Sequence, residues 1–256
     1  MQHDAEILDQ FTRQAEPFLR RHENSHEDLL RLMVECAEVR REDSVLDIAC
    51  GPGIVSCFFA PYASHVTGLD IVPAMLEQAK RLQTEKGLAN LDWALGESTV
   101  LPFADNSFDR IVTRFSFHHY LEPQAAIVEM VRVCKPGGIV VIADVSPRPD
   151  AQEHFNHWEV LRDPSHTRGL TEAEMRVLGE RAGLHLTRQA YFHMQINLED
   201  LLGSSFPKPG NADKIRALFE EDIRKGTDAL GVSASREKGQ VKLTYPIAIM
   251  AWRKSA

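Results

Sequence analysis

The chain has only four cysteines in 256 residues, no Cys-x-x-Cys pair and no histidine at zinc-ligand spacing, which excludes a disulfide scaffold and a structural zinc site. Cys36, Cys50, Cys57 and Cys134 therefore read as reduced core thiols. Basic residues are outnumbered, 29 Lys and Arg against 37 Asp and Glu, and the net charge of −8 argues against nonspecific binding to nucleic acid. The longest apolar stretch, around Ile139 to Val145, is far below membrane-spanning length. The opening Met-Gln-His-Asp-Ala-Glu lacks the basic start and apolar run of a signal peptide, so a cytoplasmic protein with no membrane span is expected. No fixed-period repeat or low-complexity tract is present, which excludes a solenoid and a disordered chain. What remains, 43% hydrophobic and 26% charged, is an ordinary globular composition for a single domain, residues 1–256.

Hydrophobic periodicity predicts two opening helices, about Ala5–Arg21 and Ser25–Val39, the second with Leu29, Leu32, Met33 and Cys36 at spacings of three and four. Val45–Ala49 then reads as a short buried strand, Gly51-Pro52-Gly53 as a turn and Ile54–Pro61 as a helix. His65–Asp70 is a second strand ending in a carboxylate. Pro73 opens a helix with Met75, Ala79 and Leu82 on one face, and Gly87 stops it. Further strands are expected at Asp92–Gly96, Arg110–Arg114 and Ile139–Val145. A helix carrying Ile127, Met130 and Cys134 precedes a turn at Lys135-Pro136-Gly137-Gly138. Such alternation implies parallel βαβ units and a doubly wound α/β sheet, whose ligands bind beyond the C-terminal strand ends.

After Val145 the pattern changes to a helix at Ala151–Arg162 and a polar loop, Asp163–Gly169. This segment, 147–170, leaves a strand's C-terminal end and should overhang the site. Thr171-Glu172-Ala173-Glu174 is a capping box opening a helix that ends at Gly183. Leu184–His193 and Lys242–Trp252 read as the last strands. Between them 195–240, with a helix at Asp213–Lys225, reads as a second cap.

The chemistry concentrates in Asp47-Ile48-Ala49-Cys50-Gly51-Pro52-Gly53 together with Asp70. Glycines at the first βα turn let the backbone approach a ligand, and a carboxylate ending the second strand accepts both ribose hydroxyls of an adenosine. A dinucleotide's pyrophosphate needs a neutral, glycine-lined helix N-terminus. Here Asp47 lies near the turn and Ser56 stands where that fingerprint wants glycine. An ammonium or a sulfonium is welcome instead, which points to S-adenosylmethionine and away from a nucleotide-dependent oxidoreductase.

On these residues the sequence resembles the class I S-adenosylmethionine-dependent methyltransferases, in particular the methyltransferase domain family that includes the ubiquinone/menaquinone-biosynthesis C-methyltransferases. The resemblance runs from about Phe11 to Leu186. It continues through Gly68-Leu69-Asp70, Gly96-Glu97-Ser98 with Leu101-Pro102-Phe103, Ser107-Phe108-Asp109 and Arg132-Val133-Cys134-Lys135-Pro136-Gly137-Gly138. It implies a seven-stranded, mostly parallel Rossmann-like sheet with helical caps and an N-terminal lid within 1–40. Gly51 and Gly53 would pass the methionine moiety, Asp70 would hold the ribose, and Ile71 and Met75 would pack near the adenine. Gly96, Glu97 and Ser98 match the segment at the adenine edge, and Asp47 and Arg114 are counted with the cofactor residues. Ala49 departs from the family's usual glycine, and an alanine fits there if its φ is negative.

Phe11 resembles the aromatic of the lid helix, shielding the methyl group or packing on the sheet edge. His118 and His119 resemble the paired histidines after the fourth strand, and an imidazole there is either a base for a substrate proton or a structural brace. His166 and Arg168 fall in the predicted overhang, where Arg168 orients a substrate anion or faces solvent, and the same alternatives hold for His154 and His157. No metal is expected at the histidine pair. The expected function is methyl transfer to a small-molecule acceptor by a monomer or homodimer that binds no nucleic acid. The alternative is a non-catalytic protein that binds S-adenosylmethionine or S-adenosylhomocysteine.

Overall fold

The computed structural model describes residues 7–13 and 27–256. Residues 7–13 are helical; the rest of the first expected helix and the start of the second lie outside the described residues. Helix α1 (Glu27–Ala37) buries Leu29, Leu30, Met33 and Cys36, the stripe its spacing demands. Then come β1 (Ser44–Ile48), α2 (Ile54–Phe59), β2 (His65–Asp70), α3 (Pro73–Glu85), β3 (Leu91–Leu95), β4 (Phe108–Arg114), α4 (Pro123–Val133) and β5 (Cys134–Val145). The chain continues through α5 (Gln152–Arg162), α6 (Glu172–Arg181), β6 (Leu184–Asn197), α7 (Leu198–Ser205), α8 (Asn211–Lys225), β7 (Ser235–Glu237) and β8 (Gln240–Lys254).

The sheet order is β3-β2-β1-β4-β5-β8-β6, with β7 added to β8. Neighbours from β3 to β5 are parallel, and β8 runs antiparallel to both β5 and β6. This is the doubly wound sheet expected, with one three-residue strand more than seven. The central strands are buried on both faces, so they read as unbroken apolar runs: in β5, Ile139, Val141 and Ala143 pack into one core and Val140 and Ile142 into the other. β6 at the edge mixes buried and exposed positions along its length.

Three expectations are revised. Lys135-Pro136-Gly137-Gly138 does not leave the sheet: β5 starts at Cys134, which pairs with Phe108, and a register shift between Phe108 and Arg110 absorbs the irregularity. β6 and β8 are longer than their apolar cores because pairing runs on to Asn197 and Lys242. Helix α7 was not foreseen, although Asn197 caps it by accepting from the Glu199 and Asp200 amides. The Thr171 capping box is present, with Glu174 returning the bond.

The chain passes from β1 through β2 to β3 on one side, then returns to β4 on the other side of β1. That reversal opens a crevice beyond the C-terminal ends of β1 and β4.

Candidate functional site

The crevice holds a cavity lined by both of the expected groups of residues. Asp47, Gly51, Asp70, Ile71, Met75, Ser98 and Arg114 stand on its outer side, and Phe11, His118 and His119 also face it.

The β1–α2 loop is shaped by three left-handed residues: Ala49 (φ 54°), Gly51 (φ 53°) and Gly53 (φ 80°). Ala49 thus takes the conformation that favours glycine, so the negative φ under which an alanine would fit is not met, at a cost of roughly 1–2 kcal/mol. Gly51 lines the cavity, and its amide donates to Asp70 Oδ2 at 2.7 Å. Asp70 Oδ1 accepts from the Val72 amide at 2.9 Å, so one carboxylate ties the loop to the start of α3. Burial holds the Asp70 carboxyl above its usual range. Gly53 stands behind the cavity wall, not on it. A Cβ there would lie 2.6 Å from the Trp93 ring and 2.9 Å from Ala79 Cβ, so this glycine serves the packing of the loop on its neighbours.

Asp47 and Arg114 end adjacent strands and are both buried. Ser56 Oγ donates to Asp47 Oδ2 at 2.5 Å, whereas Asp47 Oδ1 has no hydrogen-bond partner among the described residues. Burial lifts the Asp47 carboxyl to about 7, against the opposing pull of the Ser56 bond and the Arg114 charge. Arg114 Nη1 is likewise without a partner there, and burial lowers its guanidinium to about 10. Two opposite charges, each with an unused polar atom, therefore face one cavity.

Ile71, Val72 and Met75 pack with Ile7 and Phe11, which closes this side with apolar surface. Phe11 also meets the His119 ring edge-on at 5.0 Å. Ser98 accepts from Tyr120 at 2.8 Å, but Gly96 and Glu97 do not line the cavity, and Glu97 is exposed.

The two histidines differ. His118 Nδ1 lies 2.6 Å from Asp144 Oδ1, and Asp144 Oδ2 accepts the Phe117 amide at 2.7 Å. Burial opposes its charged form, but the Asp144 carboxylate outweighs burial and raises the His118 pKa. His119 Nδ1 donates to the Ser165 carbonyl at 3.0 Å, and burial together with the neighbouring His118 depresses it to about 3.

His166 and Arg168 are not brought to the cavity. The His166 side chain is fully buried behind His118, bonded through Nε2 to Asn156 Oδ1 at 2.8 Å and held neutral by burial. Arg168 is exposed and pairs with Glu174. His154 and His157 face solvent. Sequence reasoning also missed the inner wall, where Glu159 and Arg162 of α5, Asp163, Ser204 and Ser205 of α7, and Tyr245 of β8 line the cavity. Asp144 had a signal, as the single charge in the apolar run Ile139–Val145 at a strand's C-terminal end. No group of three or more metal-ligating side chains occurs among the described residues, and no described helix is long and apolar enough to cross a membrane.

The sheet order, the glycine loop after β1 and the carboxylate ending β2 define a Rossmann-like methyltransferase fold. Residues 46–142 match the methyltransferase domain family. The chain is 38% identical over 151 residues to the uncharacterized methyltransferase YcgJ of Bacillus subtilis, an alignment covering 58% of this chain and 60% of that protein. It is 39% identical over 116 residues to the demethylmenaquinone methyltransferase of Renibacterium salmoninarum, covering 45% and 47%. The chain thus spans about half to three fifths of the length of these relatives. The crystal structure of YcgJ superposes with a TM-score of 0.82 at 26% identity, covering 90% of this chain and all of that one.

Proposed function

We propose that this protein is an S-adenosylmethionine-dependent methyltransferase acting on a small-molecule acceptor. The observation that carries the reading is the pair of buried atoms without a partner among the described residues, Asp47 Oδ1 and Arg114 Nη1, beside Asp70 and the Gly51 turn. An α-amino acid end brings an ammonium for the first and a carboxylate for the second, and Asp70 stands ready for ribose hydroxyls. A pyrophosphate fits worse, because Asp47 would face it. Ile71 and Met75 offer apolar surface to an adenine. The cofactor, when bound, supplies a sulfonium methyl group that passes to a nucleophile as the carbon–sulfur electron pair returns to sulfur.

The protein's own tasks are alignment and exclusion of water. Ile7 and Phe11 cover the cavity from the outside, and segments 147–170 and 195–240 supply its inner wall as caps. Of the two histidines, His118 suits the role of base, since Asp144 orients it and stabilises its charged form. His119, depressed to about 3, suits a brace between the turn after β4 and the loop at Ser165.

Calorimetric titration with S-adenosylhomocysteine tests the reading. Micromolar binding is expected, lost in Asp70→Ala; folded wild-type protein that binds neither S-adenosylhomocysteine nor S-adenosylmethionine would overturn it.

A further inference from the structure

The inner half of the cavity carries two buried carboxylates, Glu159 and Asp163, and a third, Asp144, is buried behind it against His118. Facing them is one guanidinium, and it is fully committed. Arg162 Nε and Nη2 donate to Glu159 Oε2 at 2.9 and 2.5 Å, Nη1 donates to Ser205 Oγ at 3.0 Å, and Asp163 Oδ2 lies 3.8 Å from Nη1. Tyr245 donates its hydroxyl to Glu159 Oε1 at 2.5 Å. The surface between these groups is apolar, from Val145, Met194, Ile196 and Leu201. A carboxylate or phosphate entering here would meet two like charges on the wall and a third behind it, with no uncommitted cation among the described residues that line this half.

His118 supplies the second constraint. A carboxylate oxygen only accepts, so the Asp144 contact places the ring proton on Nδ1 and leaves Nε2 as the accepting nitrogen. Nε2 has no hydrogen-bond partner among the described residues, and the ring lines the cavity. A neutral amine attacks through a lone pair it already has, and a carboxylate is already charged. A hydroxyl, by contrast, must lose its proton.

We propose that the acceptor is a neutral, largely apolar hydroxyl compound, an alcohol or a phenol, whose proton passes to His118 Nε2 while Asp144 holds the ring. The O–H bond breaks, an N–H bond forms, and the electron pair stays on oxygen as the nucleophile. The proposal rests on the methyltransferase reading. His118 is the catalytic residue and Asp144 a positioning residue.

The test compares 2-naphthol with 2-naphthoate, one skeleton with a neutral or an anionic head, binding to the full-length protein saturated with S-adenosylhomocysteine. At about pH 8, where a phenol is neutral, naphthol should bind at least about tenfold more tightly. Its affinity should rise with pH through the titration of His118, because only the neutral ring accepts its O–H. The groups facing that ring are Asp144, Glu159, Arg162, His119 and His166, the last two held neutral by burial. Asp144→Asn removes the carboxylate that raises the His118 pKa, so the rise should move to lower pH, and His118→Gln should abolish it. Naphthoate binding as tightly as naphthol, binding of neither probe, or a pH profile unchanged in His118→Gln would each overturn the proposal. The wild-type preference decides even if a variant fails to fold. If S-adenosylhomocysteine binds and naphthoate is preferred, the acceptor inference falls alone; if S-adenosylhomocysteine does not bind, both fall.

Discussion

Arg114 and Arg162 look into one cavity from its two ends, both buried and both cationic, yet their surroundings are opposite. Arg162 is wrapped by Glu159, Asp163 and Ser205, and although burial disfavours its charge, those carboxylates more than compensate. Arg114 has the Asp47 charge nearby, the Phe115 ring at 5.1 Å, and an Nη1 without a hydrogen-bond partner among the described residues. A buried charge that is satisfied by its neighbours is part of the scaffold, while one left unsatisfied is held in readiness for a ligand.

Replacing each arginine by methionine breaks the comparison most forcefully. Arg162→Met leaves Glu159 and Asp163 buried without their counter-ion, and urea denaturation should record a loss of about 3–5 kcal/mol. Its affinity for S-adenosylhomocysteine should change far less than its stability. Arg114→Met should do the reverse, weakening S-adenosylhomocysteine by about a hundredfold, the scale of a lost ionic hydrogen bond, with a stability change within about 1 kcal/mol. Matching losses in both variants would erase the distinction between scaffold and binding group.

Asp47 sharpens the outer end. Its carboxyl titrates near 7 in the free protein because burial raises it. A ligand ammonium favours the ionised form, so binding lowers that pKa and releases a proton wherever the free carboxyl is protonated. Affinity for S-adenosylhomocysteine should therefore fall as pH drops through about 7. Calorimetry in two buffers of different ionisation heat should detect the released proton, and Asp47→Asn should abolish it.

The smallest effect is expected at Ala49. Glycine relieves the positive φ but loosens the unfolded chain, so Ala49→Gly should raise stability by only about 0.5–1 kcal/mol. A lower denaturation midpoint would show that the loop does not carry strain there.

Much of the outer end was legible without coordinates. Asp47, Gly51, Asp70, Ile71, Met75 and Arg114, which the sequence singled out for a cofactor, all line one cavity. Gly53 and Gly96, expected beside the cofactor, are not among the cavity-lining residues, and a glycine required by close packing looks the same in a sequence as one that admits a ligand. The inner wall was almost invisible. Glu159 and Arg162 sit one helical turn apart, which in a sequence reads as an ordinary surface pair. Only Tyr245, 86 residues away, Asp163 and Ser205 make them a buried network. Arg168, which the sequence left between a substrate anion and solvent, faces outward and pairs with Glu174.

The sequence by itself determined the alternation of strands and helices, the glycine turn after β1 and the carboxylate closing β2. Each of these rests on neighbours in the chain: apolar spacing, turn chemistry, a strand end. Tertiary structure alone decided which histidine meets a carboxylate, since His118 finds Asp144 across 26 residues through the pairing of β4 with β5. It alone decided which arginine keeps an unused donor, and that Ala49 adopts a positive φ. Those outcomes depend on register and on the packing of distant elements, where burial turns a polar side chain into a satisfied bond or an unmet one.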